Sequence, residues 1–328
     1  MKVSILGAGS WGTALAIHLT RGGHGVLLWG RDPDVTRRIV ADRRHPRRLA
    51  NIPIPEGVRT TSDLAEARAY AETVLLAVPC AAMREVLGAF GGPGGRGHRF
   101  VSTAKGIEPD TLKRMTEIVH EHFPDAPAAA LSGPTFAEGV ARGDPSAAVI
   151  ADRGGSFARD VQQEFSTGEF RIYSSSDVVG VELCGALKNV IAIAAGIVSG
   201  LGFGHNTLAA LVTRGLAEIG RIVRAGGGEM RTVYGLAGMG DLMLTATGRQ
   251  SRNRSLGEAI GQGRLPADVL VEMPEVAEGA RTCLAVPKIA AKAGVEAPIA
   301  EVVVQVLYDG CDPREGVDRL MTRALRAE

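Results

Sequence analysis

The first twelve residues constrain the fold of this chain more than any other segment. A short apolar run at residues 3–6 passes directly into Gly7-Ala8-Gly9-Ser10-Trp11-Gly12, and an apolar stretch of helical character follows. With this spacing Gly7 permits a tight turn, Gly9 lets a pyrophosphate approach the backbone, and Gly12 lets helix and strand pack closely. Free N–H groups and the helix dipole then favour an anion. Because the sequence predicts a strand before the glycines and a helix after them, the segment indicates a dinucleotide-binding site.

Strand-like and helix-like segments alternate through the first half of the chain, as they do in βαβ units. The expected strands are near-continuous apolar runs, which is typical of a parallel sheet covered on both faces. They cover residues 2–6, 25–29, 73–78, 99–103, 128–131 and 146–151, and helical patterns lie near 11–21, 33–42, 81–90, 109–122 and 153–166. The glycine-rich stretch 91–97 predicts a loop.

From about residue 178 strand signals fade and long helical patterns begin, first at 180–199 and 207–225. A length of 328 residues also favours two domains. We therefore expect an α/β protein in which a Rossmann-type doubly wound, mainly parallel sheet domain at 1–178 precedes an all-helical domain at 179–328.

The sequences of the first two helices of the second half predict which of their residues are buried and which are exposed. The stretch 183–198 approaches the length of a membrane span, but Lys188, Asn189 and several glycines interrupt it, which favours a buried core helix. In the next helix the spacing of Arg214, Glu218 and Arg221 predicts a solvent-exposed face opposite an apolar stripe.

Bulk electrostatics gives no argument for a nucleic-acid or membrane partner, because the net charge is +1. The basic stretch 37–48 is diluted by Asp42 and lacks aromatic residues, so a solvated helix and loop explain it better than a polyanion patch. The start of the chain enters a strand at once and lacks the pattern of a secretory signal, from which we expect a cytoplasmic protein. The four widely spaced cysteines predict neither a zinc site nor a disulfide scaffold.

Cofactor preference in such a fold depends on the residues at the end of the second strand, because they meet the adenosine ribose. Asp32 lies 20 residues beyond Gly12 and is placed to accept from a ribose 2′-hydroxyl, whereas Arg31 is placed to pair with a 2′-phosphate. Asp32 before Pro33 is equally well explained as a helix N-cap. We therefore expect NADP to be favoured, with NAD also usable; a merely solvated Arg31 is the alternative.

Lys188 is the sharpest single candidate for chemistry. Within 180–199 the only charged residues are Glu182 and Lys188, and six residues of separation turn them about 120° apart on a helix. An ammonium among apolar neighbours without a local acid is costly unless it finds a distant partner or serves a polar site. Desolvation would lower its pKa toward the range useful for proton transfer.

Other polar segments follow apolar runs. Lys105 comes after the expected strand at 99–103, either as a second cation at the site or in a structural salt bridge. Ser132-Gly133-Pro134-Thr135-Phe136 suggests a helix entrance facing an anion or an ordinary capped turn. Gly238–Asp241 precedes Ser251-Arg252-Asn253, a fork of donors suited to phosphate.

Taken together, these motifs resemble bacterial NAD(P)-dependent sn-glycerol-3-phosphate dehydrogenases. The resemblance rests on Gly7–Gly12, on residues 102–106, 131–137 and 187–189, and on Gly238–Asp241 with residues 251–253, which arrive in the family's order over almost the whole chain. It implies interconversion of dihydroxyacetone phosphate and sn-glycerol 3-phosphate, which supplies phospholipid synthesis. It also implies a Rossmann domain, a helical substrate domain and a homodimer.

The resemblance assigns roles by matching positions. Beyond Gly7, Gly9 and Gly12 of the turn, it implies dinucleotide contacts from Ser10, Trp11, Arg31, Lys105, Ala137, Arg252, Val276 and Glu278. Substrate contacts fall to Lys105, Gly133, Thr135, Lys188, Asp241, Ser251, Arg252 and Asn253. Lys188 matches the family's proton donor and acceptor. We expect Lys105 to stabilise developing negative charge and Asp241 to orient Lys188 or a substrate hydroxyl; no metal is required.

Two other functions fit parts of the pattern. A dehydrogenase of the 3-hydroxyacid or ketopantoate reductase type would share the sheet and a helical second domain, and Arg252 would then bind a carboxylate. A nucleotide-sensing module would bind NAD(P) without turnover, although Lys188 in an apolar helix argues against it. A hydrolase is disfavoured because no G-x-S-x-G elbow occurs.

Overall fold

The computed structural model describes residues 1–49, 51–91, 97–273 and 277–324. The chain divides into two compact units: Met1–Ala104 with Arg114–Val181, and Lys105–Lys113 with Glu182–Glu328. The division is not a single cut near residue 178, because the segment Lys105–Lys113 belongs to the second unit. Domain bounds at 1–178 and 179–328 stay a prediction.

The first unit is built on one eight-stranded sheet. Its strands are β1 Lys2–Leu6, β2 Gly25–Trp29, β3 Val58–Thr61, β4 Thr73–Leu76, β5 Arg99–Ser102, β6 Ala128–Ser132, β7 Ser146–Ala151 and β8 Phe170–Ser175. The spatial order is β3-β2-β1-β4-β5-β6-β7-β8. Strands β1 to β6 are mutually parallel, β7 is antiparallel to β6, and β8 is parallel to β7. The order from β3 to β6 is that of a dinucleotide-binding doubly wound sheet, which confirms the predicted fold class.

Helices cover both faces of this sheet. They are α1 Ser10–Arg21, α2 Pro33–Asp42, α3 Leu64–Tyr70, α4 Met83–Phe90, α5 Met115–His122, α6 Ala137–Arg142 and α7 Ser156–Phe165, with a 3₁₀ turn at Cys80–Ala82. One apolar core joins the sheet to α1, α2, α6 and α7, and a second joins its other face to α3, α4 and α5. Because the inner strands are buried on both faces, their sequences are near-continuously apolar.

Several elements of the first unit differ from the sequence expectation, and helix α3 at Leu64–Tyr70 was not expected at all. β3 and β8 were not expected: β8 alternates buried and exposed residues, and β3 is a four-residue edge strand, so neither has a continuous apolar run. The helix expected near 109–122 begins only at Met115. Residues 92–96 of the expected loop at 91–97 lie outside the described residues.

The second unit is helical in its described residues. Its helices are α8 Val178–Gly200, whose first four residues belong to the first unit, α9 His205–Ala225, α10 Met230–Tyr234, α11 Asp241–Thr247, α12 Arg252–Gly261, α13 Pro266–Glu272, α14 Glu278–Thr282, α15 Val286–Ala293, α16 Pro298–Tyr308 and α17 Pro313–Met321. A π-helical turn at Leu236–Gly240 leads into α11.

Helix α8 is long and apolar enough to cross a membrane by length and composition, yet its apolar window is wholly buried inside the protein. Glycines let its backbone pack directly against α12. A Cβ on Gly196 would lie 2.0 Å from the Arg254 carbonyl oxygen, and one on Gly257 would lie 2.0 Å from that of Ile193. Gly196, one of the glycines that interrupt the apolar stretch, is thus a contact position, as in other small-residue helix pairs.

Glu218 corrects the exposed face predicted for α9. The residue is 2% exposed, and its carboxylate accepts hydrogen bonds from the backbone N–H groups of Ile299 (2.9 Å) and Ala300 (3.0 Å). It therefore caps the first turn of α16. The helical spacing to Arg214 and Arg221 was real, but a helix 80 residues later in the chain covers the position.

Candidate active site

Lys188 lies on α8 and is 5% exposed, and Cys184, Leu187 and Ile191 of the same helix are buried too. Its Nζ donates to Asp241 Oδ1 at 2.7 Å and to Thr245 Oγ1 at 2.7 Å. The ammonium thus finds the distant acid that its own helix lacks.

Asp241 holds two lysines at once. Lys105 Nζ lies 2.6 Å from Oδ2, while Lys188 occupies Oδ1, and the Asp241 side chain is only 2% exposed. Lys105 is the more accessible of the two cations, with 18% of its side chain exposed against 6% for Lys188. The cluster carries two positive charges and one negative charge, so it is suited to an anionic ligand or a developing oxyanion.

The π-helical turn before α11 sets the position of Asp241. Gly238 lies within this turn, and a Cβ there would lie 2.0 Å from the Val233 carbonyl oxygen, so the backbone can pass only without a side chain. Such turns are frequent at functional sites. One turn later, Thr245 donates to the Asp241 carbonyl oxygen at 2.6 Å, which leaves its oxygen to accept from Lys188.

Burial and mutual attraction set the protonation of this cluster. Desolvation lowers the pKa of the Lys188 ammonium from 10.5 to about 7, although the negative charge of Asp241 favours the protonated form and acts in the opposite direction. Burial alone would raise the pKa of the Asp241 carboxyl, but the nearby Lys105 and Lys188 charges hold it below its usual range. Near neutral pH the site therefore combines a permanent carboxylate with an amine able to give or take a proton.

A ladder of amide hydrogen bonds ties Lys105 to α8, α12 and α14. Asn189 Nδ2 donates to the Lys105 carbonyl oxygen at 2.9 Å, and Asn253 Nδ2 donates to Asn189 Oδ1 at 3.0 Å. The backbone N–H of Gly279 then donates to Asn253 Oδ1 at 2.9 Å. The ladder links the backbone that carries Lys105 to α8 through Asn189, a residue of the 187–189 motif to which the sequence assigned no role.

Ser251, Arg252 and Asn253 form the start of α12. Ser251 is the N-cap, its Oγ accepting from the Arg254 backbone N–H at 3.2 Å. Asn253 is buried and bonded through both ends of its amide, whereas Arg252 is exposed. Within this motif, Ser251 and Asn253 are therefore buried and Arg252 is the exposed side chain.

The glycine-rich turn lies in the first unit. Gly7 has a φ of +122°, and a Cβ on it would lie 2.6 Å from the Ala77 carbonyl oxygen. A Cβ on Gly12 would meet the Gly7 carbonyl oxygen at 1.9 Å, so both positions require glycine. Gly9 is the N-cap of α1 and supplies no capping side chain.

This turn has the features that a dinucleotide needs. The first N–H groups of α1, starting at Ser10, follow an N-cap without a side chain, and Trp11 Nε1 is buried without a hydrogen-bond partner. An orphaned buried donor beside a helix start fits a site that receives an anionic, hydrogen-bonding ligand. The residues present therefore fit NAD or NADP.

Two charged residues follow the end of β2: Asp32 caps a helix, and Arg31 is exposed. Asp32 is the N-cap of α2, accepting from the backbone N–H groups of Asp34 at 3.0 Å and Val35 at 3.4 Å. Arg31 is exposed. The structure thus bears out the capping interpretation of Asp32, which the sequence had left open.

Two residues of the basic stretch lie against the glycine-rich turn and were missed. His45 Nε2 lies 2.9 Å from the Ala8 carbonyl oxygen, and an Arg48 guanidinium nitrogen lies 3.3 Å from the position of a Cβ on Gly9. The sequence signal was the arginine pairs at 43–48, which were interpreted as a solvated surface.

Other expected site residues of the first unit lie between β6 and α6. Gly133 has a φ of +149°, and a Cβ there would lie 2.8 Å from Ala148 Cα. Thr135 Oγ1 donates to the Gly133 carbonyl oxygen at 3.2 Å, and Ala137 is the first residue of α6. The expected helix entrance exists, but α6 has only six residues.

Two expected cofactor contacts lie near α14. Glu278 is its first residue and is partly buried. Val276 lies outside the described residues.

Comparison with known proteins gives matches along the whole chain. Residues 2–158 match the model of the NAD-dependent glycerol-3-phosphate dehydrogenase N-terminus, and residues 177–318 match that of the C-terminus. A Geobacter sp. (strain M21) protein named as an NAD(P)+-dependent glycerol-3-phosphate dehydrogenase is 49% identical over 330 residues, covering 100% of this chain and 98% of that protein.

Solved structures agree with these matches. The crystal structure of glycerol-3-phosphate dehydrogenase from Coxiella burnetii superposes with a TM-score of 0.93 at 37% identity, covering 98% of this chain and 99% of that one. A ketopantoate reductase from Ralstonia eutropha JMP134 superposes with a TM-score of 0.61 at 18% identity, covering 98% of this chain and 100% of that one. The second likeness extends to the fold alone.

Proposed function

The chain belongs to the NAD-dependent glycerol-3-phosphate dehydrogenase family, and we propose that Lys188 is the proton donor and acceptor of its reaction. The protein is an NAD(P)-dependent oxidoreductase that interconverts dihydroxyacetone phosphate and sn-glycerol 3-phosphate. The observation that carries the role of Lys188 is its burial in contact with both Asp241 and Thr245.

The bound nicotinamide cofactor supplies the hydride that reduces the C2 carbonyl carbon, or accepts it in the reverse direction. As the carbonyl becomes an alcohol, its oxygen takes a proton from Lys188 Nζ, which is left as a neutral amine. In the reverse direction the neutral amine takes the hydroxyl proton. A pKa of about 7 suits both directions, because neither protonation state is scarce near neutral pH.

The neighbours of Lys188 orient it and balance its charge. Asp241 Oδ1 and Thr245 Oγ1 fix the direction of the Nζ group, and Asp241 compensates the ammonium when it is protonated. Lys105, on the other carboxylate oxygen, keeps a positive charge at the cluster when Lys188 has given up its proton. That charge stabilises a partly negative substrate oxygen.

The remaining assignments are part of the proposal. Substrate contacts come from Lys105, Gly133, Thr135, Lys188, Asp241, Ser251, Arg252 and Asn253, with Arg252 as the exposed part of the phosphate anchor, expected from the sequence at Arg252 and Asn253, that positions the ketone. The cofactor is held by the turn at Gly7, Gly9 and Gly12, and by Ser10, Trp11, Arg31, Lys105, Ala137, Arg252, Val276 and Glu278. A homodimer, a cytoplasmic location and a supply of glycerol 3-phosphate to phospholipid synthesis complete it.

A steady-state assay tests the reaction. Dihydroxyacetone phosphate is added to the full-length protein with NADPH or NADH, and loss of absorbance at the reduced nicotinamide band is followed. We expect turnover with both cofactors. A higher kcat/KM for an unphosphorylated 2-keto acid than for dihydroxyacetone phosphate would contradict the assignment and favour a ketoacid reductase.

The role of Lys188 is tested by substitution with methionine, an apolar side chain of similar length. We expect turnover to collapse while the dissociation constant for NADPH stays within about twofold. Near-normal turnover would remove Lys188 from the mechanism without affecting the assignment of the reaction.

A further inference from the structure

The carboxylate of Asp32 stands where a ribose-binding acid is expected, but other groups already occupy it. Oδ1 accepts from the backbone N–H groups of Asp34 and Val35, and Oδ2 accepts from Arg47 Nη2 at 3.1 Å. A carboxylate offers about four lone-pair positions, so three are in use. Asp32 is therefore poorly placed to serve as the acceptor for a ribose 2′-hydroxyl.

The partner of Asp32 is a cation that faces solvent. The Arg47 side chain is 69% exposed and that of Asp32 is 43% exposed, so the ion pair orients the guanidinium without burying it. Arg31, one residue before Asp32, is exposed too and makes no hydrogen bond or ion pair among the described residues. The end of β2 therefore carries one arginine paired with Asp32 and a second arginine next to Asp32 in the sequence.

These arginines lie beside the glycine-rich turn. Gly30, which precedes Arg31, packs so closely on that turn that a Cβ would lie 2.9 Å from Ala8 Cβ. His45, two residues before Arg47, contacts the carbonyl oxygen of the same alanine. Both arginines therefore belong to segments that contact the turn, and the adenosine ribose of a dinucleotide lies next to that turn, at the end of β2, in this fold.

We propose that Arg47 joins Arg31, which the sequence already indicates, in binding the 2′-phosphate of NADPH, and that Asp32 is a positioning residue that holds Arg47 for this purpose. The inference deepens the proposed function by naming the groups that select the cofactor. A 2′-phosphate carries close to two negative charges and matches the fork of a guanidinium. NADH lacks that phosphate and meets an Asp32 whose acceptor positions are largely filled.

Binding of adenosine 2′,5′-bisphosphate and of AMP, which differ only by the 2′-phosphate, tests the proposal by calorimetry on the full-length protein. Loss of one charge-assisted pair weakens binding about 10- to 100-fold. We expect Arg31→Ala and Arg47→Ala each to weaken the bisphosphate by that factor and to change AMP by less than twofold. Equal effects on both ligands, or no effect on either, would overturn the proposal.

Arg59→Ala is the matched control. Arg59 is an exposed arginine on β3 of the same sheet, paired with Glu66 at 3.2 Å with side-chain exposures of 61% and 44%, close to those of the Arg47 pair. We expect this variant to bind both ligands as the unaltered protein does. A loss equal to that of Arg47→Ala would indicate a general effect of net charge and contradict a specific site.

Asp32→Asn separates a positioning role from direct ribose recognition. Asparagine caps a helix as well as aspartate does, so the fold is kept. We expect AMP affinity to stay within twofold, whereas a ribose-binding acid would lose about tenfold on this change and would overturn the proposal. Turnover of dihydroxyacetone phosphate by the unaltered protein is measured separately, so failure of the cofactor-selection proposal is distinguishable from failure of the proposed function.

Discussion

Lys188 Nζ donates to Asp241 Oδ1 at 2.7 Å, across 53 residues of sequence and between two helices of the second unit. The pair is not a simple buried salt bridge, because a second lysine, Lys105, shares the carboxylate. Burial also lowers the pKa of Lys188, whereas the carboxylate raises it. A buried ion pair is weak evidence for stability in general. Its value here lies in an amine that titrates near neutral pH at a fixed position.

The first prediction concerns the pH dependence of the two reaction directions. Reduction of the ketone needs protonated Lys188, so its kcat/KM should fall as pH rises through about 7. Oxidation of glycerol 3-phosphate needs the neutral amine and should rise over the same range. Initial rates between pH 5.5 and 9 check both limbs, and parallel profiles for the two directions would contradict the assignment.

Thr245→Val tests the second partner of Lys188. The change removes an acceptor that favours the ammonium, so the pKa of Lys188 should fall further, and the pH limb of ketone reduction should move to lower pH. We expect about a tenfold loss of kcat at pH 7.5, from this shift and from a less well-oriented amine. The pH profile is the measurement, since a purely structural effect would lower the rate without moving the limb.

Thr247→Val provides the matched control for that variant. Thr247 lies on the same helix and makes the same kind of bond, donating to the Met243 carbonyl oxygen at 2.7 Å, but it is exposed. We expect its pH profile to match that of the unaltered enzyme. A shift as large as that of Thr245→Val would show that the helix, and not the contact with Lys188, sets the titration.

The sequence predicts the framework of the first unit because physical constraints there are local. Gly7 and Gly12 are required by backbone contacts within one strand–turn–helix, and the inner strands are buried on both faces, so their sequences are continuously apolar. β8 escapes the same reasoning because an edge strand with one wet face alternates instead. A search for continuous apolar runs therefore finds the inner strands and misses β8, whose residues alternate between buried and exposed.

Distant contacts are what the sequence leaves open. The absence of a local acid around Lys188 indicated a partner elsewhere, but only the family resemblance suggested Asp241, and it left open whether Asp241 orients Lys188 or a substrate hydroxyl. Thr245 was within reach of sequence reasoning, since it lies four residues after Asp241 on the same helical face. Glu218 was assigned to solvent because nothing in its own helix reveals that the start of α16 covers it.

Glu218 makes the stability of the second unit depend on pH. Burial raises the pKa of its carboxyl from 4.5 to about 7, despite two backbone N–H donors and the nearby Arg221, and with Glu301 adding to the rise. The folded protein therefore binds this proton more tightly than the unfolded chain. The stabilisation is fully present below pH 4.5 and is lost as pH rises to about 7, amounting to about 3 kcal/mol.

Glu218→Gln removes this titration while keeping an acceptor oxygen for α16. Relative to the unaltered protein, we expect the free energy of unfolding of the variant to be higher at pH 8 than at pH 5, by about 2.5 kcal/mol. Denaturant titrations at the two pH values measure it. Glu301→Gln, at an exposed residue of α16, is the control and should show a much smaller difference, because Glu301 only adds to a pKa rise that burial causes; equal behaviour of the two variants would contradict the role of Glu218.

Gly257→Ala tests whether close backbone packing of α8 on α12 positions the substrate site. The new Cβ would lie 2.0 Å from the Ile193 carbonyl oxygen, so the helices must separate, at a cost of about 1–3 kcal/mol. Because α12 begins with Arg252 and Asn253, the KM for dihydroxyacetone phosphate should rise while NADPH affinity changes less.

Gly88→Ala in α4 is the control for this variant. Its Cβ would meet His122 Cε1 at an ordinary 3.7 Å, and the change should stabilise the helix by up to about 1 kcal/mol with KM unaltered. An unchanged unfolding free energy and KM for Gly257→Ala would show that the contact between the two helices is dispensable.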